Sequence, residues 1–331
     1  MLPFLIRRAL GAVIILLCIS AITYVCFYAI VPNPALLSCG KNCSPALIHQ
    51  INENMGFSDP IYLQYWKFMH GIFFGRDFPA FGQCNVPCFG YSFANQQPVW
   101  AAIKTSYPTT FSLAIMGAAF FLVIGVSLGL ISAWRQGRPI DRVASSVSLI
   151  GQSTQIYFLG PLAILLFSYY FNQWFGWGLN RGADPTWTSD PIGSLNGMLL
   201  PALIMSVIFW SNYSRQVRSL MLEQLSEDHI RTATAKGMSK PYVFFRYALR
   251  GAMGPVLTIF GIDLGAVFGG AIITEYTFSL HGLGRLAVSS VNSGDLPLEM
   301  GVLLFSALSI VIFNVIIDAS YALIDPRVRL G

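Results

Sequence analysis

The sequence predicts an all-α integral membrane protein with six transmembrane helices. Three observations predict it. Of its 331 residues, 54% are hydrophobic and only 11% charged. Six apolar stretches are long enough to cross a bilayer. The basic residues are unevenly divided among the loops that join them. A soluble domain carries about 25% charged residues, so soluble enzymes, disordered chains and collagen-like chains are excluded. The net charge is +5, but no run of basic residues forms a solvated patch, which argues against nucleic-acid binding.

A hydrocarbon core of about 30 Å needs about 20 apolar residues in a helix. The first such stretch runs from about Ala9 to Val31 and the second from Thr110 to Trp134. The third runs from Val143 to Phe171, and a shorter fourth lies near Met198 to Tyr213. The fifth runs from Pro255 to Ile273 and the sixth from Met300 to Ala322. Arg7 and Arg8 precede the first stretch, as in a signal peptide. That stretch is too long for a signal h-region, and no small-x-small cleavage site follows it before Pro32. It is expected to stay as a helix with its N-terminus inside.

Six spans place both termini on the cytoplasmic side of a multi-pass inner (plasma) membrane protein. Six of the 20 Lys and Arg residues then fall outside: Lys41, Lys67, Arg76, Lys104, Arg181 and Arg285. The remaining 14 fall inside, as the positive-inside rule requires. Small residues recur at a spacing of four in two spans, as Gly125 and Gly129, and as Gly261, Gly265 and Gly269. This spacing bares backbone on one helix face, so that a second helix can approach closely.

The outside loop from Pro32 to about Trp100 holds Cys39, Cys43, Cys84 and Cys88, as two C-x3-C pairs. An oxidising compartment makes disulfides the expectation, with three possible connectivities. A metal or iron–sulfur site is the alternative, although no His stands beside either pair. Cys18 and Cys26 lie in the first span as apolar filler. His49, His70 and His229 show no ligand spacing, so no metal site and no cofactor is expected in this chain.

The inside segment from Glu223 to Arg250 is the most informative. Ser226 is placed to cap a helix that opens on Glu227 and Asp228, which complement the positive end of its dipole. Gly237 suits a helix stop, with Lys236 at the negative end. A second helix is predicted from Lys240 or Pro241, since proline suits a first turn. A basic helix lying on lipid headgroups is the bland alternative. The acidic opening Glu223, Glu227 and Asp228 fits a docking surface for a soluble partner better.

Five stretches then carry a resemblance. They are Arg7-Arg8 with the first span; Arg215-Gln216-Val217-Arg218 through Leu222; and Arg231 to Pro255, alanine-rich with Gly237 inside it. The other two are Thr274-Glu275-Tyr276-Thr277-Phe278 with Gly282-Leu283-Gly284, and Asp318 with Asp325-Pro326-Arg327-Val328-Arg329. Together they make the chain resemble, over nearly its whole length, the permease subunits of binding-protein-dependent ABC importers of the oligopeptide/dipeptide/nickel group. The resemblance implies a type I ABC importer transmembrane fold. Residues 1–97 would be the first helix and the four-Cys outer loop. Residues 98–322 would be the five-helix core with a coupling loop at 222–250, and 323–331 a cytoplasmic tail.

The resemblance also implies a division of labour. The chain lacks G-x-x-x-x-G-K-[ST], so it cannot cradle ATP through a P-loop. It would not be an enzyme. Two separate ABC ATPase subunits would hydrolyse ATP, a second permease would complete the path as a heterodimer, and an extracytoplasmic solute-binding protein would deliver peptides. Nickel or another small solute is the alternative cargo. An ion-driven secondary transporter is the rival class, but no internal repeat is visible.

Asp228, Arg231, Ala233, Ala235, Lys236 and Gly237 are the implied ATPase-coupling residues, with the alanines allowing close approach. Asp263 lies inside the fifth span, where a carboxylate is costly and faces a cavity or a partner. It would line the substrate path and meet a peptide amino terminus, or it would pair with a neighbouring helix.

Overall fold

A computed structural model describes residues 2–29, 44–45, 48, 52, 59–78, 82–92, 94–175, 183–184, 187, 189–268 and 271–324. Helices dominate. In chain order the α-helices of six or more residues are α1 (Leu2–Tyr24), α2 (Ile61–Phe74), α3 (Val99–Trp134), α4 (Pro139–Ser153) and α5 (Ile156–Ala163). They continue as α6 (Pro191–Ser226), α7 (Asp228–Ala235), α8 (Leu249–Phe268), α9 (Ile272–Thr277), α10 (Leu283–Ser293) and α11 (Leu296–Ile324). Short π-helical turns follow α1 at Val25–Ala29 and α5 at Ile164–Tyr170, and precede α8 at Val243–Ala248.

The Cys-bearing loop adds short strands to an otherwise helical structure. Arg76–Phe78 pairs antiparallel with Gly82–Cys84, and Tyr91–Ser92 with Gln97–Pro98. Glycines at 75, 82 and 90 take positive φ there, which supplies tight turns instead of helix. Cys84 is joined to Cys88 by a disulfide; Cys39 and Cys43 lie outside the described residues.

Among the described residues, four helices are long and apolar enough to cross a membrane: α1, α3, α6 and α11. A fifth span arises if α4 and the Ile156–Tyr170 stretch count as one, but the two are bent by 102°. The third expected span is therefore broken at Thr154 and Gln155. The fifth expected span is helical as α8, yet falls outside the four.

The chain divides into two compact units. The first comprises 1–110, 268–272 and 281–315. Its core gathers Tyr24, Phe89, Val99, Ile103, Leu283, Leu298 and Met300. The α1–α2 pair is tied by Ser20 to the Tyr65 hydroxyl at 2.7 Å and by Tyr24 Oη donating to Gln64 Oε1 at 3.2 Å. Gly294, at φ 66°, stops α10. Asp295 then starts α11: its Oδ1 accepts Leu298 N–H at 3.2 Å, and its Oδ2 accepts Ser92 Oγ at 2.5 Å and Ala94 N–H at 3.2 Å. One buried carboxylate thus caps a helix and anchors a loop.

The second unit comprises 111–267, 273–280 and 316–331. Here α3 and α6 lie backbone to backbone. A Cβ added at Gly125 would stand 2.6 Å from Tyr213 Cβ, and one at Gly129 would stand 2.7 Å from Val217 Cβ. Any larger residue would force the helices apart. Phe121 fills the space above, 5.1 Å from the Tyr213 ring and 5.9 Å from Phe260 of α8. Helix α4 runs antiparallel to the end of α6. Asp141 meets Arg218 at one end, and Gln152 Nε2 donates to Asn212 Oδ1 at 2.8 Å at the other.

Candidate functional site

The 226–250 segment is built as two helices around a sharp corner. The 36 residues of α6 end at Ser226. Glu227 is extended, with φ −67° and ψ 149°, and α7 starts at Asp228. The N-cap is therefore Glu227, and its side chain makes no capping bond. Ser226, expected to be the cap, is the last residue of α6 and donates instead to Glu223 O at 2.7 Å. Its hydroxyl is captured by the preceding turn, a common alternative for serine. Asp228 does occupy the first turn of α7, where its charge suits the dipole.

The far end of α7 is a Schellman stop. Gly237 N–H donates to Thr234 O at 3.0 Å, and Met238 N–H donates to Ala233 O at 3.4 Å. Gly237 holds φ 78°, a left-handed conformation in which any Cβ is strained. Lys240–Tyr242 and the π-turn Val243–Ala248 then lead without a break into α8.

Two side chains of α7 turn inward. Ile230 and Ala233 are buried against Met221, Val243, Phe244 and Ala248, the i, i+3 pair that fixes one face of a short helix. The remainder of α7 is exposed: Asp228, Arg231, Ala235, Lys236 and the Gly237 corner all lie on the surface. This corrects the expectation for Ala233. Its methyl packs on the chain's own core and is not presented outward, whereas Ala235 is. Arg231 Nη1 reaches Asp228 Oδ1 at 3.4 Å, with both side chains open to solvent. A pair so exposed contributes little, so both charges remain available to a partner.

In the same unit, a part-buried polar network ties α6 to the corner between α3 and α4. Arg218 donates from Nε to Asp141 Oδ1 at 2.7 Å and from Nη2 to Oδ2 at 2.9 Å. Gly137 N–H donates to Oδ2 at 2.9 Å, and Ser132 Oγ donates to Oδ1. The Arg218 hydrogen bond holds the Asp141 carboxyl well below the usual carboxylate range, with help from Ser132 and Gly137 and against the cost of burial. Sequence reading missed this network, because Asp141 and Arg218 are 77 positions apart. The available signal was a lone carboxylate among basic residues.

In α8, Asp263 accepts a hydrogen bond from Tyr213 Oη at 3.0 Å. Gly261 lies against Ile317 of α11, where a Cβ would overlap the Ile317 side chain. Gly265 is buried, and Gly269 lies outside the described residues.

The sequence is similar to those of known proteins over its whole length. Residues 1–114 match the family model for the N-terminal part of binding-protein-dependent transport system membrane components. Residues 125–330 match the model for the binding-protein-dependent transport system inner membrane component. A putative peptide transport system permease protein of Brucella abortus is 32% identical over 329 residues, 99% of each chain. The probable D,D-dipeptide transport system permease protein DdpB of Escherichia coli K12 is 31% identical over 341 residues, 98% of this chain and 97% of its own. A glutathione transport system permease protein, GsiC, of Pectobacterium atrosepticum is 31% identical over 330 residues, 99% of each. With both family models matched in order and relatives aligned from end to end, the chain belongs to the binding-protein-dependent transport system inner membrane components, the permease subunits of ABC importers in which separate subunits hydrolyse ATP.

Proposed function

We propose that this chain forms half of the translocation path of an importer for di- or oligopeptides. It sits in the inner membrane as six helices of the type I importer fold, with both termini cytoplasmic. A second permease completes the path, and a solute-binding protein delivers the peptide outside. Two ABC ATPases dock on the cytoplasmic loops of the permease pair, one of them on the 222–250 loop of this chain.

The observation that carries the reading is α7: a short exposed helix, seated by Ile230 and Ala233 and closed by Gly237. Asp228, Arg231, Ala235, Lys236 and Gly237 form its docking face, with Ala233 setting its seat. Closure of the ATPases would move α7 as a rigid body, and α6 and α8 with it. The relatives named for peptides, a D,D-dipeptide and glutathione support the cargo class.

The test is purification in mild detergent from the native membrane, with identification of the co-purifying chains. A second permease, P-loop ATPases and a peptide-loaded solute-binding protein are expected. Recovery of the chain alone, or only with copies of itself, overturns the reading.

Asp263 belongs in the path on this reading. Among the described residues, its one side-chain hydrogen bond comes from the neutral Tyr213 phenol. A carboxylate in a span with no cation bonded to it suits the ammonium group of a passing peptide. Asp263→Asn keeps the size and the Tyr213 contact. It should raise KM about tenfold for peptides with a free amino terminus, a loss of one charge-assisted contact. N-acetylated peptides should be transported unchanged. Equal uptake of both by the variant and the original leaves Asp263 a structural residue only.

A further inference from the structure

We propose that the corner between α3 and α4 is a binding site for an anionic phospholipid, its phosphate held by Arg135, Arg138 and Arg142 and an acyl chain lying along the outer face of α4. Arg135 and Arg138 sit on the turn that joins the helices, and Arg142 in the first turn of α4; all three are exposed. Between Trp134 and Val143 the only carboxylate is Asp141. That carboxylate faces inward and is held by Arg218 from the opposite side. Within residues 134–143 the exposed charge is therefore purely positive. Arg246 and Arg250, also exposed, extend it along the stretch 242–250, which contains no carboxylate.

Apolar and aromatic surface adjoins this charge. One stripe of α4, with Asp141, Ala144, Ser148 and Gly151, is buried. The opposite stripe is open, with Val143 at 62% exposure and Ile150 at 65%, and Val147 between them also exposed. It begins one residue after Arg142. Trp134 is 44% exposed and stacks on the exposed Phe245 at 6.1 Å, with Phe244 beneath at 4.8 Å. The surface thus grades from guanidinium through a Trp–Phe pair to bare valine and isoleucine.

That order matches a phospholipid from phosphate to acyl chain. An acidic protein surface would satisfy the arginines but leave the apolar stripe beside them in water. Guanidinium groups suit a phosphodiester because their planar forks donate two hydrogen bonds at once.

The inference rests on the inside placement of residues 135–142 proposed above, and not on the cargo. An Arg138→Cys variant labelled by an impermeant thiol reagent only in opened vesicles verifies that placement by itself. The test is native mass spectrometry of the purified transporter with added phosphatidylglycerol or phosphatidylcholine. Each basic residue near an anionic headgroup changes binding about fivefold. The triple variant Arg135→Gln/Arg138→Gln/Arg142→Gln should therefore retain phosphatidylglycerol at least about tenfold less, with phosphatidylcholine unchanged. The triple Arg→Lys variant, which keeps the charge but not the planar forks, should retain more phosphatidylglycerol than the Gln variant and less than the original, which shows that the charge and not the fold was lost. Equal phosphatidylglycerol retention by the Gln variant overturns the proposal. So does unchanged lipid retention together with loss of a co-purifying subunit, which would make the corner a protein contact.

Discussion

Gly237→Arg is expected to cut peptide uptake and substrate-stimulated ATP hydrolysis at least tenfold while leaving the amount of assembled transporter near normal. The two halves of this expectation have different physical sources. Gly237 has φ 78°, and a Cβ built there meets no atom within 4 Å. The internal cost of a side chain is thus only the strain of a left-handed residue, about 1–2 kcal/mol. That is small against the seating of α7 on Ile230 and Ala233. The guanidinium instead projects into the open space that an ATPase groove would occupy. Gly237→Ala carries the same backbone strain without the bulk, so uptake should stay within about threefold of the original. Uptake, ATP hydrolysis and co-purified ATPase, measured together, separate a docking defect from a folding one. Normal stimulated uptake by assembled Gly237→Arg would sink the coupling role.

Asp141→Ala should be the most destabilising change at a polar residue of this unit. The carboxylate is 4% exposed and receives four hydrogen bonds, two of them from Arg218. Its removal strands a guanidinium, a hydroxyl and the Gly137 N–H. Breaking a fully buried pair costs about 3–5 kcal/mol. Arg218 keeps 32% of its side chain in solvent, which reduces this to about 2–3 kcal/mol. In detergent the melting temperature should fall by about 5–10 °C. Asp141→Ala/Arg218→Met should recover most of the loss, because the stranded charge goes with its partner.

The pH dependence has a definite sign. A carboxyl whose pKa is depressed on folding stabilises above its unfolded value, near 3.9, and loses that contribution as pH falls. Melting scans should therefore show the network intact from pH 8 to 5 and weakening only in acid. A double variant no more stable than Asp141→Ala would show that the arginine is not the stranded group.

The residues that could be read from sequence were those whose cause is local. Gly237 was legible because a helix stop needs a left-handed residue and leaves its mark within five positions. The apolar stretches of α1, α3, α6 and α11 were legible because span length is a one-dimensional property. The C-x3-C spacing marked Cys84 and Cys88, which the structure joins. What escaped depends on distant partners. The direction Ala233 faces is set by Met221 and Phe244, not by its neighbours. Ser226 could cap one helix or end another, and only the extended Glu227 decides. The break at Thr154 and Gln155 falls in the polar run Gly151-Gln152-Ser153-Thr154-Gln155, which an averaged hydropathy over the whole stretch smooths away. Asp295 binds Ser92 from 203 positions away and Asp141 binds Arg218 from 77, so their local surroundings do not name those partners.

The length of α6 has a mechanical consequence. Thirty-six residues rise about 54 Å, whereas the hydrocarbon core is about 30 Å thick. In the orientation proposed above, even a tilted α6 would overshoot the acyl chains and would hold α7 off the headgroups like a strut. Thinner or thicker bilayers would slide their boundary along this overhang instead of lifting the docking helix, which would keep the stroke of the machine independent of lipid chain length.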